Sequence, residues 1–211
     1  DFCRRLGEPV REDLVLGSGR PAEVGVIHIR QNERQKINFW HMDHSFRNTP
    51  SAYIMLYAVQ LPPCGGDTLF ASLEAAYQGL DDSLKKEIVG LHAEHRYTET
   101  QNSRRRFTPD EIARASVAEG VVHPLVGQNQ ETGRPFLFVN TPVYCRSIAE
   151  RRDEDGGRLL RKLYRHAQKP EFHVRVRGKK GTLVVWENAH CLHYPVSDYF
   201  PHERLLWRVV V

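Results

Sequence analysis

Apolar positions along this chain fall mostly into short runs or alternate with polar ones, and only two stretches carry a helical period. Residues 24–30 (VGVIHIR) form a β-branched run of strand length, and residues 52–60 (AYIMLYAVQ) form a second that is rich in aromatics. Residues 61–67 (LPPCGGD) concentrate Pro and Gly, which ends the strand in a tight loop before residues 68–71 (TLFA) resume as strand. From residue 72 to 91 the period changes. Ser72 is a suitable N-cap, and Leu84, Ile88 and Leu91 recur at helical spacing. Residues 135–143 read as a strand and 155–167 as an amphipathic helix. Residues 172–177 and 182–186 read as strands joined through Gly178-Lys179-Lys180-Gly181 in a hairpin-like turn, and residues 205–211 as a closing strand. The start, residues 1–7, resembles the tail of a helix. Residues 98–122 are polar and arginine-rich, with Thr108-Pro109-Asp110-Glu111 resembling a helix start. An insertion of that kind between core strands is a common place for a lid.

Many short strands with two helices between them predict a mainly β fold with helical decorations, a β-sandwich or jelly roll. A doubly wound α/β fold is disfavoured, because strands and helices do not alternate regularly and no Gly-rich phosphate loop is present. No internal repeat or linker divides the chain, so residues 1–211 read as a single domain.

Composition adds little to the fold but narrows the partners. With 40% hydrophobic and 27% charged residues the chain is globular, and no apolar run approaches the ~20 residues that span a bilayer. Cys3, Cys64, Cys145 and Cys191 are scattered without a C-x-x-C pair, which suits free thiols in the cytoplasm better than a disulfide framework. The net charge of +4 is spread among interspersed acids, and basic runs such as Arg104-Arg105-Arg106 lack interleaved aromatics. A small anionic partner fits this balance; nucleic acid and membrane do not.

The chemistry lies in a split signature. His41-Met42-Asp43 offers an imidazole and a carboxylate on one face if the segment is extended, since residues i and i+2 of a strand point the same way. His193, far downstream, is the best third ligand, with His190 and His202 as neighbours that would face differently. Two His and one carboxylate can occupy one face of an octahedral ion and leave the other face open, as in non-haem Fe(II) oxygenases. A zinc hydrolase would use similar ligands, and a non-catalytic cupin-like binding domain could retain them. Arg204 and Arg208, four residues apart, share a face in a strand, and a planar guanidinium grips a carboxylate bidentately. Thr68 could add a hydroxyl to the same carboxylate. A hydrolase has no evident use for these three residues, and the intact His41, Asp43 and His193 set argues against a binding domain.

Taken in order, the motifs Trp40-His41-Met42-Asp43, Pro62-Pro63-Cys64-Gly65-Gly66-Asp67-Thr68, Phe138-Val139-Asn140, Trp186-Glu187-Asn188, His193-Tyr194 and Arg204…Arg208 resemble the taurine/phenoxyacetate branch of the Fe(II)/2-oxoglutarate-dependent dioxygenases. The resemblance covers essentially the whole chain. It implies a double-stranded β-helix core, Fe(II) held by His41, Asp43 and His193, and 2-oxoglutarate reaching Thr68 and Arg204 with its distal carboxylate, with O₂ as the oxidant. It also implies that Arg208 binds the anionic head of a small organic substrate, that His44 and Arg146 line the same pocket, and that the protein is a homo-oligomer. Two departures stand out. Relatives carry further sequence ahead of the segment resembling residues 1–9. Residues 10–20, where taurine-type enzymes place a substrate-binding His, contain none, which disfavours sulfonate recognition in their manner. Glu187 replaces the usual Asp.

Overall fold

The computed structural model describes residues 2–11, 21–96 and 120–211. A four-stranded antiparallel sheet runs in the order β1 (Gly25–Ile29), β12 (Arg204–Val210), β2 (Tyr53–Gln60), β10 (Leu183–Glu187). A three-stranded sheet, β11 (Cys191–Pro195), β3 (Thr68–Ser72), β9 (His173–Val176), faces it. The strand period explains the packing. Ile54 of β2, Phe70 of β3, Trp186 of β10 and Val210 of β12 point between the sheets and form one apolar cluster. Arg204, Leu206 and Arg208 share the inward face of β12, while Trp207 faces out and stacks on Tyr57, 5.6 Å between ring centres. This two-sheet jelly roll is the mainly β architecture that the pattern predicts.

The other face of the small sheet carries Ala71 and Leu192, which pack against the helical layer. That layer comprises α1 (Leu73–Gln78), α2 (Asp82–Ile88) and α3 (Glu154–Ala167), with Ser72, Asp81 and Asp153 each capping a first turn through a side-chain oxygen. Leu159, Leu160 and Leu163 form the buried stripe of α3, each contributing roughly 1.5–3 kcal/mol by burial. A third sheet, β5 (Val121–Pro124), β4 (His92–His95), β8 (Cys145–Ile148), and a hairpin of β6 (Val126–Gln128) with β7 (Pro135–Leu137) close this side.

Several expectations need correction. The turn at residues 178–181 joins no hairpin: β9 pairs with β3 and β10 with β2, so the chain crosses between sheets there. The helical stretch 72–91 is two helices broken at Gly79 and Leu80, because the Asp81 carboxylate starts a new first turn. The strand expected over 135–143 stops at Leu137, and of the start the described residues 2–7 hold a 3-10 turn, Cys3–Arg5, in place of a helix tail. The proposed lid falls largely on residues outside those described; its last two, Val121 and Val122, begin β5.

His95 of β4 has a consequence for acid stability. It is fully buried against the rings of His123 and Phe138, its Nε2 lies 3.6 Å from Cys145 Sγ, and its Nδ1 has no hydrogen-bond partner among the described residues. Burial, assisted by neighbouring His123, pushes its pKa from 6.5 down to about 3. The unfolded chain therefore binds this proton first as pH falls, so the stability from neutral His95 is whole above 6.5 and drains away towards about 3. We expect the urea midpoint to drop between pH 6.5 and 4.5, less steeply in His95→Phe; a flat midpoint in the wild type would contradict this.

Candidate active site

Between the sheets lies a cavity of about 420 Å³. Its walls include Ile27 and Ile29 of β1, Leu56 of β2, Trp186 of β10 and Leu206 of β12, and its polar floor comprises His41, Asp43, Thr68, His193, Arg204 and Arg208. Potential ligand atoms of His41, Asp43 and His193 lie within 4.8 Å of one another. The tertiary fold brings them together through one contact: His41 and His193 exchange backbone hydrogen bonds of 2.9 and 2.8 Å in an isolated antiparallel bridge. The H-x-D segment is otherwise not a strand, contrary to the simplest reading of its spacing.

The protonation pattern suits a cation. His41 Nδ1 donates to the Phe39 carbonyl at 2.9 Å, which turns Nε2 towards the Asp43 carboxylate, 3.6 Å from Oδ1. Burial pushes His193 down to about 3, helped by His41, and keeps it neutral. Burial works to raise the Asp43 pKa, but the Arg208 guanidinium, 3.1 Å from Oδ2, leads the opposing influences that hold the carboxyl well below its usual range. Two imidazoles, both buried, and one ionised, partly buried carboxylate are the donor set of a divalent transition-metal site, and a hard-soft borderline ion such as Fe(II) fits it.

Arg204 sits in the same cavity and is 4% exposed. Its Nη2 reaches Thr68 Oγ1 at 3.4 Å, its guanidinium lies 6.0 Å from the Tyr199 ring, and its Nε has no hydrogen-bond partner among the described residues. Burial lowers its pKa against the pull of Tyr199 and Asp67. A buried guanidinium without a carboxylate in salt-bridge contact is expensive unless a ligand supplies one. The loop before Thr68 is shaped for this approach: Gly65 and Gly66 have φ of +70° and +72°, and Gly66 N donates to Asp198 Oδ1 at 2.8 Å. A Cβ on Gly65 would overlap the Asp198 carboxylate. Gly65→Ala should therefore cost about 1–3 kcal/mol, read as a lowered denaturation midpoint. An unchanged midpoint would mean the loop relaxes freely.

The sequence-predicted residues are not all gathered here. His41, Asp43, His193, Thr68, Arg204 and Arg208 line the cavity. His44 does not: at φ +56° its Nδ1 hydrogen-bonds the Ser51 hydroxyl at 2.8 Å, and burial lowers its pKa to about 4. Arg146 is exposed on β8, in the third sheet. His190 turns away in a short 3-10 helix and bonds Glu187. Sequence reasoning overlooked Tyr199 and Gln35, whose hydrogen bond of 2.6 Å ties the segment beside Arg204 to the cavity rim. No local pattern marks either residue.

The family model for "Taurine catabolism dioxygenase TauD, TfdA family" matches residues 1–210. The chain belongs to this family. It is 36% identical over 184 residues to the alpha-ketoglutarate-dependent 2,4-dichlorophenoxyacetate dioxygenase of Burkholderia sp. (strain RASC), covering 83% of this chain and 57% of that protein. It is 28% identical to the alkylsulfatase of Acinetobacter baylyi, covering 100% of this chain and 67% of the relative. A crystal structure of a taurine dioxygenase from Burkholderia xenovorans superposes with a TM-score of 0.79 at 31% identity, over 100% of this chain and 70% of that one. The chain thus spans little more than half the length of its 2,4-dichlorophenoxyacetate dioxygenase relative. In this TauD, TfdA family member the cavity lies between the two sheets of the jelly roll.

Proposed function

We propose that the chain carries the active site of an Fe(II)- and 2-oxoglutarate-dependent dioxygenase that hydroxylates a small organic anion. The observation that carries this reading is the buried Arg204–Thr68 pair sharing a cavity with the His41–Asp43–His193 cluster. A zinc hydrolase would need only the cluster, and a non-catalytic domain would need neither.

In this reading His41, Asp43 and His193 hold the iron, and Arg204 with Thr68 receives the distal carboxylate of 2-oxoglutarate. The bound iron supplies the means to spend O₂ on the reaction R–H + 2-oxoglutarate + O₂ → R–OH + succinate + CO₂. The protein's own share is positional. Arg208 keeps Asp43 ionised and presents the guanidinium to a substrate anion, and Ile27, Leu56 and Trp186 exclude water around the apolar part. Arg30, Arg34 and Lys36 at the cavity wall outnumber Glu33 there and attract anions. Hydroxylation beside a heteroatom gives a product that fragments, so sulfonates, alkyl sulfates and aryloxyalkanoates are the substrate classes to test, in keeping with the names of the relatives.

The test is succinate release from 2-oxoglutarate under air with Fe(II) and ascorbate, across a panel of such anions. Stimulation by one anion, weakened by at least tenfold in KM in Arg208→Ala, supports the reading. Absence of succinate together with tightly bound zinc would replace it with hydrolase chemistry. The substrate roles assigned to His44 and Arg146 are read from the same panel with His44→Ala and Arg146→Ala. A cytoplasmic homo-oligomer belongs to the same proposal, supported by four free cysteines and by Tyr57, Leu183, Val185 and Trp207 exposed together on the outer face of the large sheet. Among the described residues no helix is long and apolar enough to cross a membrane.

A further inference from the structure

Two asparagines of the sequence motifs, Asn140 and Asn188, have no part in the chemistry above, yet both are buried to 1% exposure or less. Their partners explain why. Asn140 Oδ1 accepts from Met42 N at 3.0 Å, and its Nδ2 donates to Met42 O at 2.9 Å and to Ser45 Oγ at 2.7 Å. Asn188 Oδ1 accepts from Asp43 N at 3.2 Å, and its Nδ2 donates to Asp43 O at 2.8 Å and to Ser51 O at 3.1 Å. Each carboxamide thus engages both the N–H and the C=O of one residue, as a neighbouring strand would. The opposite amide orientation would set donor against donor and acceptor against acceptor, so the pattern fixes the rotamer.

Three consecutive residues are held in this way, each by a different partner. His41 is paired with the His193 backbone, Met42 with Asn140 and Asp43 with Asn188. Asp43 already lies in a turn, and the next residue, His44, has φ +56°, so the chain bends away at the ligand. A segment outside a sheet has no ladder to hold its side-chain directions, and a twist of one residue would aim His41 and Asp43 to different sides. We infer that Asn140 and Asn188 are positioning residues: their carboxamides stand in for the missing strand partners and keep both ligands of the H-x-D pair on one ion. Asn188 adds a second link. It follows β10 and precedes His193 by five residues, so the chain that brings the third ligand also holds the second.

The inference rests on the proposed metal centre, and the experiment separates the two. Co(II), added alone to the metal-free protein, reports affinity by titration and coordination by its visible absorption. Asn140→Asp and Asn188→Asp keep nearly the same shape and the acceptor oxygen but lose the donor to the Met42 or Asp43 carbonyl. Each is expected to weaken Co(II) binding by roughly 10–100-fold and to shift the visible bands, at a temperature where circular dichroism shows the chain folded. Asn129→Ala is the control. Asn129 is equally internal but bonds Glu74 and the turn at Glu131 and Thr132, so it should lower the melting temperature and leave Co(II) affinity unchanged. Wild-type affinity and spectrum in both aspartate variants would overturn the inference, as would equal weakening by the control. Wild-type protein that takes up no Co(II) would overturn the metal centre itself. Hydrogen exchange in the wild type gives an answer even if the variants do not fold: the Met42 and Asp43 amides must be protected although no strand contains them, and rapid exchange at both refutes the clamp.

Discussion

Alanine at Arg204 is expected to raise the KM for 2-oxoglutarate by a factor of roughly 30 or more while raising the stability of the ligand-free protein. The two effects have one cause. Truncating one partner of a buried, hydrogen-bonded charge pair costs about 2–5 kcal/mol of binding, and each ~1.4 kcal/mol is a factor of ten. Without a ligand, however, the Arg204 guanidinium is 4% exposed, its Nε has no hydrogen-bond partner among the described residues, and the pull of Tyr199 and Asp67 does not offset its burial. An uncompensated buried charge destabilises the fold, so its removal relieves the protein. The measurement is a melting temperature with and without 2-oxoglutarate, beside steady-state kinetics. A fall in ligand-free melting temperature would assign Arg204 to structure, and an unchanged KM would remove it from the cosubstrate site. Arg204→Lys should recover the charge but not the fork, and so only part of the affinity.

His41→Ala is expected to abolish metal-dependent succinate formation, a loss beyond the roughly 10–100-fold typical of residues that merely support a ligand. The fold should survive, because the bridge to His193 is made by backbone atoms that alanine retains. Ring contacts to Phe39 and His193 would be lost, at 5.3 and 4.1 Å between centres, which is a modest packing loss. Metal content after dialysis against Fe(II), measured beside succinate, distinguishes an empty site from a filled but silent one. Retained turnover in this variant would rule out the H-x-D pair as the metal site.

Most of the strands were legible because they are half-buried and alternate. The pattern marked β1, β2, β3 and β12 to within a residue or two, and the amphipathic stripe marked α3. It did not reveal β4, β5, β6 or β8, which are only three or four residues long and too short to show a period. The break between α1 and α2 was hidden for a similar reason: Leu84 and Ile88 keep a helical spacing of their own, and the change of direction depends on the Asp81 cap. The supposed hairpin at 178–181 failed because glycines at a turn say nothing about which sheet receives the next strand.

The sequence by itself determined the ingredients: two His and an Asp with ligand chemistry, a Thr and two Arg suited to carboxylates, and glycines where the loop before Thr68 requires positive φ. It determined that Arg204 and Arg208 share one face of a strand as well, since side chains alternate with a period of two. Only the tertiary structure decided what those residues face. It placed His193 beside His41 across 152 positions of chain, set Arg208 against Asp43 and left Arg204 buried, with its Nε unpaired among the described residues. It also moved His44 to Ser51 and left Arg146 exposed on another sheet. The physical reason is that side-chain direction is a local property of the backbone, whereas ion pairing, desolvation and the Asn140 and Asn188 clamps depend on segments that meet only when the sheets close.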